Sequence, residues 1–296
     1  MMLKRWMMMA GLVCTLAVAS VGQAAPKNVL FYGNSFTLGF GSTRSVNALF
    51  SDIAIAAGHE APLVQSAAAS GQSLNWHLNN NTAAIFTLIP PGRDWDNIVM
   101  QEHSTKLTRA FGTYPASIEE SKSDAVGLYQ TATTRSAGVV PVFYETFARG
   151  PGHSFYTGGS PLFPGGPSEM QAEVRAGYQM LKGAIDTAVG SDLAKIAPVG
   201  TAWEIGNYDR LHANDLWHAQ NRGTLLAALV IYGTVYEDSD TSSIDLAGVL
   251  GSLGLTAQDG VELTSYADEA LAIPEPASAG LLLGLAALGM GRRRAA

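Results

Sequence analysis

The sequence predicts an α/β fold, a three-layer α/β/α sandwich with a mostly parallel central sheet. Three observations carry this. Short, continuously apolar runs recur along the chain, as in strands buried on both faces. Longer stretches with helical spacing alternate with them, which is the order of a parallel sheet covered by helices. The chain has 296 residues, 47% of them hydrophobic, enough for one sizeable core.

Val29-Leu30-Phe31-Tyr32 is the first run, a buried strand that ends in a turn at Gly33. Apolar positions at Val46, Leu49, Phe50, Ile53 and Ala57 then keep a helical spacing, so strand, tight turn and helix form the first unit. Further strands are expected at Ile98-Val99-Met100, which follows Asp94-Trp95-Asp96, at Val139 to Tyr144, and at Ile196 to Gly200. Helices are expected over Ile118 to Ala132 and over Glu169 to Val189, where Met170, Val174, Tyr178, Leu181 and Ile185 share one face. An apolar helix is expected from Thr224 to Tyr232. Between Gly150 and Pro167 lie six glycines and four prolines, so that stretch reads as a surface loop, either a rim or lid over a site or an insertion. Glu237-Asp238-Ser239-Asp240 reads as a solvated turn or a weak calcium site. No repeat of fixed period is present.

The two ends read as addresses. Lys4 and Arg5 precede an apolar run from Trp6 to Val21 and small residues at Gly22, Ala24 and Ala25, the pattern of a secretory signal over 1–24 cleaved after Ala24 or Ala25. The chain's one cysteine, Cys14, lies inside it, so disulfides, thiolate metal sites and a cysteine nucleophile are excluded from the mature protein. Pro274-Glu275-Pro276, an apolar stretch from Ala277 to Met290 and Arg292-Arg293-Arg294 resemble the PEP-CTERM sorting signal over 273–296. That resemblance implies a short transmembrane helix, an exosortase and a signal peptidase as processing partners, and a Gram-negative source. It further implies export across the inner membrane, a transient anchor, and release to the cell surface or extracellular matrix. The body in between, 25–272, is expected to be one domain.

The chain carries 18 basic and 25 acidic residues, a net charge of −7. Lys4, Arg5, Arg292, Arg293 and Arg294 sit at the extreme ends, so the body is more acidic still. Nucleic acid needs clustered Lys and Arg and is excluded as a partner, and polyanions in general are unfavoured.

Two clusters could do chemistry. The first strand runs into Gly33-Asn34-Ser35, which places a hydroxyl at the carboxyl edge of a sheet, where open α/β folds bind ligands. Ser35 there is either an N-cap or a nucleophile helped by nearby N–H groups. The second cluster is Leu211-His212-Ala213-Asn214-Asp215-Leu216-Trp217-His218. Asp215 and His218 are three apart, so one turn of chain can bring both side chains to the same side. An imidazole can take a serine proton and a carboxylate can fix its tautomer. His212, Asp215 and His218 could instead hold a metal, or the group could simply cap the following helix.

Gly33-Asn34-Ser35-Phe36-Thr37 after a first strand, with Asp215-Leu216-Trp217-His218 near the end of the domain, resembles the SGNH (GDSL-type) hydrolase superfamily. Gly223 to Ala228 after the histidine is similar to its less studied bacterial branches. Asn34 stands where the motif usually has Asp. The resemblance implies an SGNH/flavodoxin-like fold and a secreted serine esterase that needs no cofactor and no metal. It makes Ser35 the nucleophile, His218 the base and Asp215 its orienting partner. The oxyanion hole would comprise Ser35, Gly71 from Ala69-Ser70-Gly71-Gln72-Ser73-Leu74, and a third donor. Where the family has Gly-x-Asn-Asp this chain has Gln101-Glu102-His103-Ser104, so Gln101 is the expected substitute, with His103 behind it and Glu102 bracing the loop. Trp76, His77 and Arg149 either line the substrate side or pack. The substrate expectation is a small ester or an acylated carbohydrate. The alternatives are an inactive carbohydrate- or matrix-binding protein on the same fold, or a metal-dependent hydrolase.

Overall fold

Five strands form one all-parallel sheet in the order β2-β1-β3-β4-β5: β1 (Asn28–Tyr32), β2 (Leu63–Ser66), β3 (Asn97–Met100), β4 (Val140–Tyr144) and β5 (Lys195–Ala197). The structure is a computed structural model and describes residues 26–274. The predicted signal peptide and the predicted membrane helix lie outside the described residues. Among those described, no helix is long and apolar enough to cross a membrane.

The order is that of the flavodoxin-like doubly wound folds, and it puts a topological switch between β1 and β3. Val29 pairs with Asn97 and Tyr32 with Met100, so the turns that begin at Gly33 and Gln101 leave the sheet side by side at its carboxyl edge. That edge is where the site forms.

Two layers of helix cover the sheet. Beginning at Ser35–Leu38 (α1) and Val46–Ala56 (α2), the chain continues through Leu74–Asn80 (α3), Ala83–Thr87 (α4), Ala116–Arg135 (α5) and Pro167–Val189 (α6). Val199–Ile205 (α7), Asn221–Tyr236 (α8), Ala247–Leu253 (α9) and Ala257–Ala272 (α10) complete it. α2 and α10 pack on α8 in one layer, while α3 and α6 pack on α5 in the other. α8 is fully buried from Leu225 to Tyr232. A helix apolar on all sides is a core helix, which is why its sequence reads as a run rather than a stripe.

The expected strand over 196–200 stops at Ala197. Pro198 has no N–H for a further rung and instead stands as the N-cap of α7. Sequence patterning also misses β2, a half-buried edge strand four residues long with a polar Gln65 in its middle. The Gly/Pro-rich stretch is irregular as expected, but it is anchored: Phe163 is fully buried, and Pro167 begins α6. Glu237 caps α8 in a left-handed conformation and ion-pairs with Lys195, which favours the solvated-turn reading of 237–240.

Candidate active site

Between β1 and α1 the chain turns through Gly33-Asn34-Ser35. A Cβ on Gly33 would lie 2.3 Å from Thr37 Oγ1 and 2.7 Å from Gln101 Oε1, so only glycine fits there. The Gly33 carbonyl accepts from the Ala69 N–H at 3.0 Å and lies 2.8 Å from His77 Nε2. His77 is fully buried, and burial holds its pKa below the usual value. The neutral ring therefore donates to Gly33 from Nε2 and faces Asn81 Nδ2 with Nδ1 at 3.4 Å. Asn34 accepts from the Phe36 N–H at 3.2 Å and donates to the Gln72 carbonyl at 3.0 Å, tying the turn to the loop after β2. An Asn in the motif's Asp position thus still caps α1.

Ser35 Oγ lies 3.0 Å from His218 Nε2, 183 residues away in sequence. His218 Nδ1 in turn lies 2.7 Å from Asp215 Oδ2. The other carboxylate oxygen, Oδ1, accepts the backbone N–H groups of Trp217 and His218, both at 2.9 Å. Burial raises the Asp215 pKa, but the hydrogen bonds from the His218 ring and from the two N–H groups outweigh it and hold the carboxyl below its usual range. Asp215 is therefore ionised and acceptor-only, which fixes the proton of a neutral His218 on Nδ1 and leaves Nε2 as an acceptor facing Ser35. The His218 ring stacks on Phe40 at 4.1 Å and meets Phe36 edge-on at 5.6 Å.

The turn that carries Asp215 and His218 is closed by an antiparallel bridge between His212 and Ala219 and by the Ala213 N–H on the His218 carbonyl at 2.7 Å. Leu216 sits within it at φ +59°, a strained conformation for a bulky residue. The segment after β4 holds it there. His212 Nε2 donates to the Ala148 carbonyl at 2.9 Å, and the Gly150 N–H donates to the Leu216 carbonyl at 2.8 Å.

Gly71 lies in the loop after β2 at φ +72°. Within the described residues neither its N–H nor that of Ser35 finds an acceptor. Gln101 differs from expectation. It is fully buried; its Oε1 accepts from the Asn34 N–H at 3.0 Å and the Thr37 hydroxyl at 3.1 Å, while its Nε2 donates to the Glu102 carbonyl at 2.6 Å. Its amide therefore ties the serine turn to β3 instead of facing the open side, which corrects its placement as the third oxyanion donor. Glu102 braces the next loop, accepting from the Leu74 and His103 N–H groups and from the Ser121 hydroxyl. His103 is half-buried beside Thr105, its Nδ1 3.3 Å from that hydroxyl. The three residues of the alternative metal reading do not converge: His212 is turned to Ala148 and packs edge-on against Trp203, and no group of three His, Cys, Asp or Glu that could hold a metal occurs among the described residues.

Trp76 is half-buried with its ring edge-on to His77. Arg149 is buried beneath Trp217, its guanidinium carbon 4.6 Å from the ring centroid. Phe40 and Trp217 flank the histidine and are both exposed. Trp217 lies inside the Asp215–His218 motif, where its place was visible. Nothing in the spacing of Phe40 pointed to it.

Comparison with known proteins agrees with this geometry at the level of fold. A protein assigned to the SGNH hydrolases, from Slackia heliotrinireducens, superimposes with a TM-score of 0.51 at 25% identity, covering 71% of this chain and 98% of that one. A lipase/acylhydrolase from Enterococcus faecalis gives 0.49 at 13% identity over 74% and 97%. The psychrotrophic esterase EstA from a Pseudoalteromonas species gives 0.47 at 13% over 71% and 97%. The PEP-CTERM protein-sorting motif matches residues 272–295. No curated protein matches the chain. The described domain has the α/β fold of the SGNH hydrolases, and the chain ends in a sorting motif of exported proteins.

Proposed function

We propose that this protein is an exported serine ester hydrolase that works through an acyl-enzyme. The reading rests on one observation, the continuous path from Ser35 Oγ through His218 to Asp215 at 3.0 and 2.7 Å. His218 takes the Ser35 proton as the hydroxyl attacks the ester carbonyl, then gives it to the leaving alcohol. Water, activated by the same imidazole, releases the acid. Asp215 holds the ring in the tautomer this requires and stabilises it when protonated. The Ser35 and Gly71 N–H groups are the donors for the developing oxyanion. No step calls on a metal or cofactor. The sorting motif at 272–295 supports an activity outside the inner membrane, after signal peptidase and exosortase have acted, and in this reading 25–272 is the hydrolase domain between residues 1–24 and 273–296. Acylated carbohydrate at the cell surface fits that location as substrate.

The test is hydrolysis of p-nitrophenyl acetate together with labelling by a fluorophosphonate. Ser35→Ala should abolish both without changing the melting temperature, His218→Ala should do nearly the same, and Asp215→Asn should cost less than either. A fully active Ser35→Ala enzyme overturns the reading. A folded wild type that neither hydrolyses nor labels would point to a binding protein on the same fold.

A further inference from the structure

The ester-hydrolase reading leaves one side chain beside the site without a role; the role inferred for it rests on that reading and adds a substrate class to it. Arg149, in the loop after β4, is 1% exposed. Its Nη2 donates to Ser104 Oγ at 2.9 Å, while Nη1 is buried without an acceptor and no carboxylate of the described residues pairs with it. The guanidinium carbon lies 4.6 Å from the Trp217 ring centroid and 5.9 Å from that of Phe36. Phe36 follows Ser35 and Trp217 precedes His218, so the cation is held between the neighbours of the two reacting side chains. Burial pushes its pKa down to about 9; of the charged groups around it Asp215 attracts it, while His103, His153 and His212 are disfavoured as cations by its presence. A buried guanidinium with unused donors destabilises the free protein. Paired oxygens on a ligand would satisfy it, because the fork geometry of arginine matches them.

We propose that Arg149 recognises one anionic oxygen group, a carboxylate or a phosphate, on the ester substrate, which enters as Trp217 turns off the guanidinium. Trp217 is 42% exposed, so it can move without repacking the core. The acidic body limits this to a single anionic group, since a polyanion would be repelled over its whole length.

The experiment uses p-nitrophenyl acetate as a neutral reporter and compares glucuronate, inorganic phosphate and glucose as inhibitors. Glucuronate or phosphate should inhibit about tenfold more tightly than glucose, identifying carboxylate or phosphate respectively. Arg149→Met should remove that difference. If Arg149→Met does not fold by circular dichroism, Trp217→Ala provides the second arm: it uncovers the guanidinium and should tighten inhibition by the preferred anion. Equal inhibition by all three compounds in the wild type overturns the proposal, as does a Trp217→Ala enzyme with unchanged anion inhibition. Should the wild type fail to hydrolyse the reporter, titrating Ser35→Ala with glucuronate and phosphate, read by tryptophan fluorescence, still separates the two ideas. Binding there keeps the anion site and discards the esterase, and no binding discards both.

Discussion

At the scale of single residues, Gln101 shows how a side chain of the expected type can stand in the expected place and do a different task. Its amide oxygen accepts from both the Asn34 N–H and the Thr37 hydroxyl, and all three groups are buried. Gln101→Ala therefore strands two donors at once, at about 1–3 kcal/mol for each buried group left unsatisfied. We expect a clearly lowered melting temperature and a fall in kcat with little change in KM, because the serine turn loses its tie to β3 while the substrate surface is untouched. Thermal melts and steady-state kinetics on the same samples check this. A variant as stable as wild type with only kcat reduced would restore Gln101 to the oxyanion hole. The sequence could not distinguish these roles. An amide offers a donor and an acceptor, and which one faces the site depends on the neighbouring Asn34 N–H, a backbone group with no signature of its own.

At the scale of elements, α8 sets the position of the turn that carries Asp215 and His218. Gly223, in its first turn, comes so close to the segment before it that an added Cβ would lie 2.4 Å from the Leu211 carbonyl oxygen and 2.5 Å from the Trp203 ring. Ala is favoured over Gly in a helix by about 1 kcal/mol. Overpacking against backbone and a buried indole costs about 1–3 kcal/mol and cannot be relieved by a rotamer change. The clash should win. Gly223→Ala is expected to lower stability modestly and activity severely, since the Leu211 carbonyl opens the turn that carries Asp215 and His218; comparison of urea midpoints with kcat/KM checks this, and an active, stabilised variant would refute it. The elements themselves were legible where one physical signal dominated. β1, β3 and β4 are buried on both faces and announced themselves as apolar runs, and α6 as a stripe. β2 was invisible because an edge strand carries only half the burial, and the end of β5 because Pro198-Val199-Gly200 is as apolar as the strand it terminates. Of the candidate site, types and spacing offered Ser35, Asp215 and His218 beside capping and metal readings, and the resemblance to the SGNH hydrolases singled the three out. The Ala148–Gly150 strap that holds their turn was not legible, since three of the four groups in its two hydrogen bonds are main-chain groups.

At the scale of the whole molecule, buried titratable groups make stability depend on pH in two opposing ways. His212 is held at about 4, first by burial. The unfolded chain then binds protons that the folded one refuses, so stability falls as pH drops from about 6.5 to about 4. Glu145, 1% exposed at the end of β4, is pushed up to about 7, again by burial, although Gln171 and Thr201 donate to it. Here the folded state holds the proton more tightly, so stability falls as pH rises from about 4.5 to about 7 and is level above that. The two slopes oppose each other over the same window and flatten the whole-protein profile, which hides both. Glu145→Gln removes one of them, since an amide resembles the protonated acid in shape and cannot ionise. Its advantage over wild type should be near zero at pH 4.5 and grow to on the order of 3 kcal/mol by pH 8, the free energy of a shift of this size. Every other group titrates alike in the two proteins and cancels in the comparison. Urea unfolding at pH 4.5 and pH 8 measures it: a difference that does not change between the two pH values would mean that Glu145 titrates in the folded protein as it does in the unfolded chain.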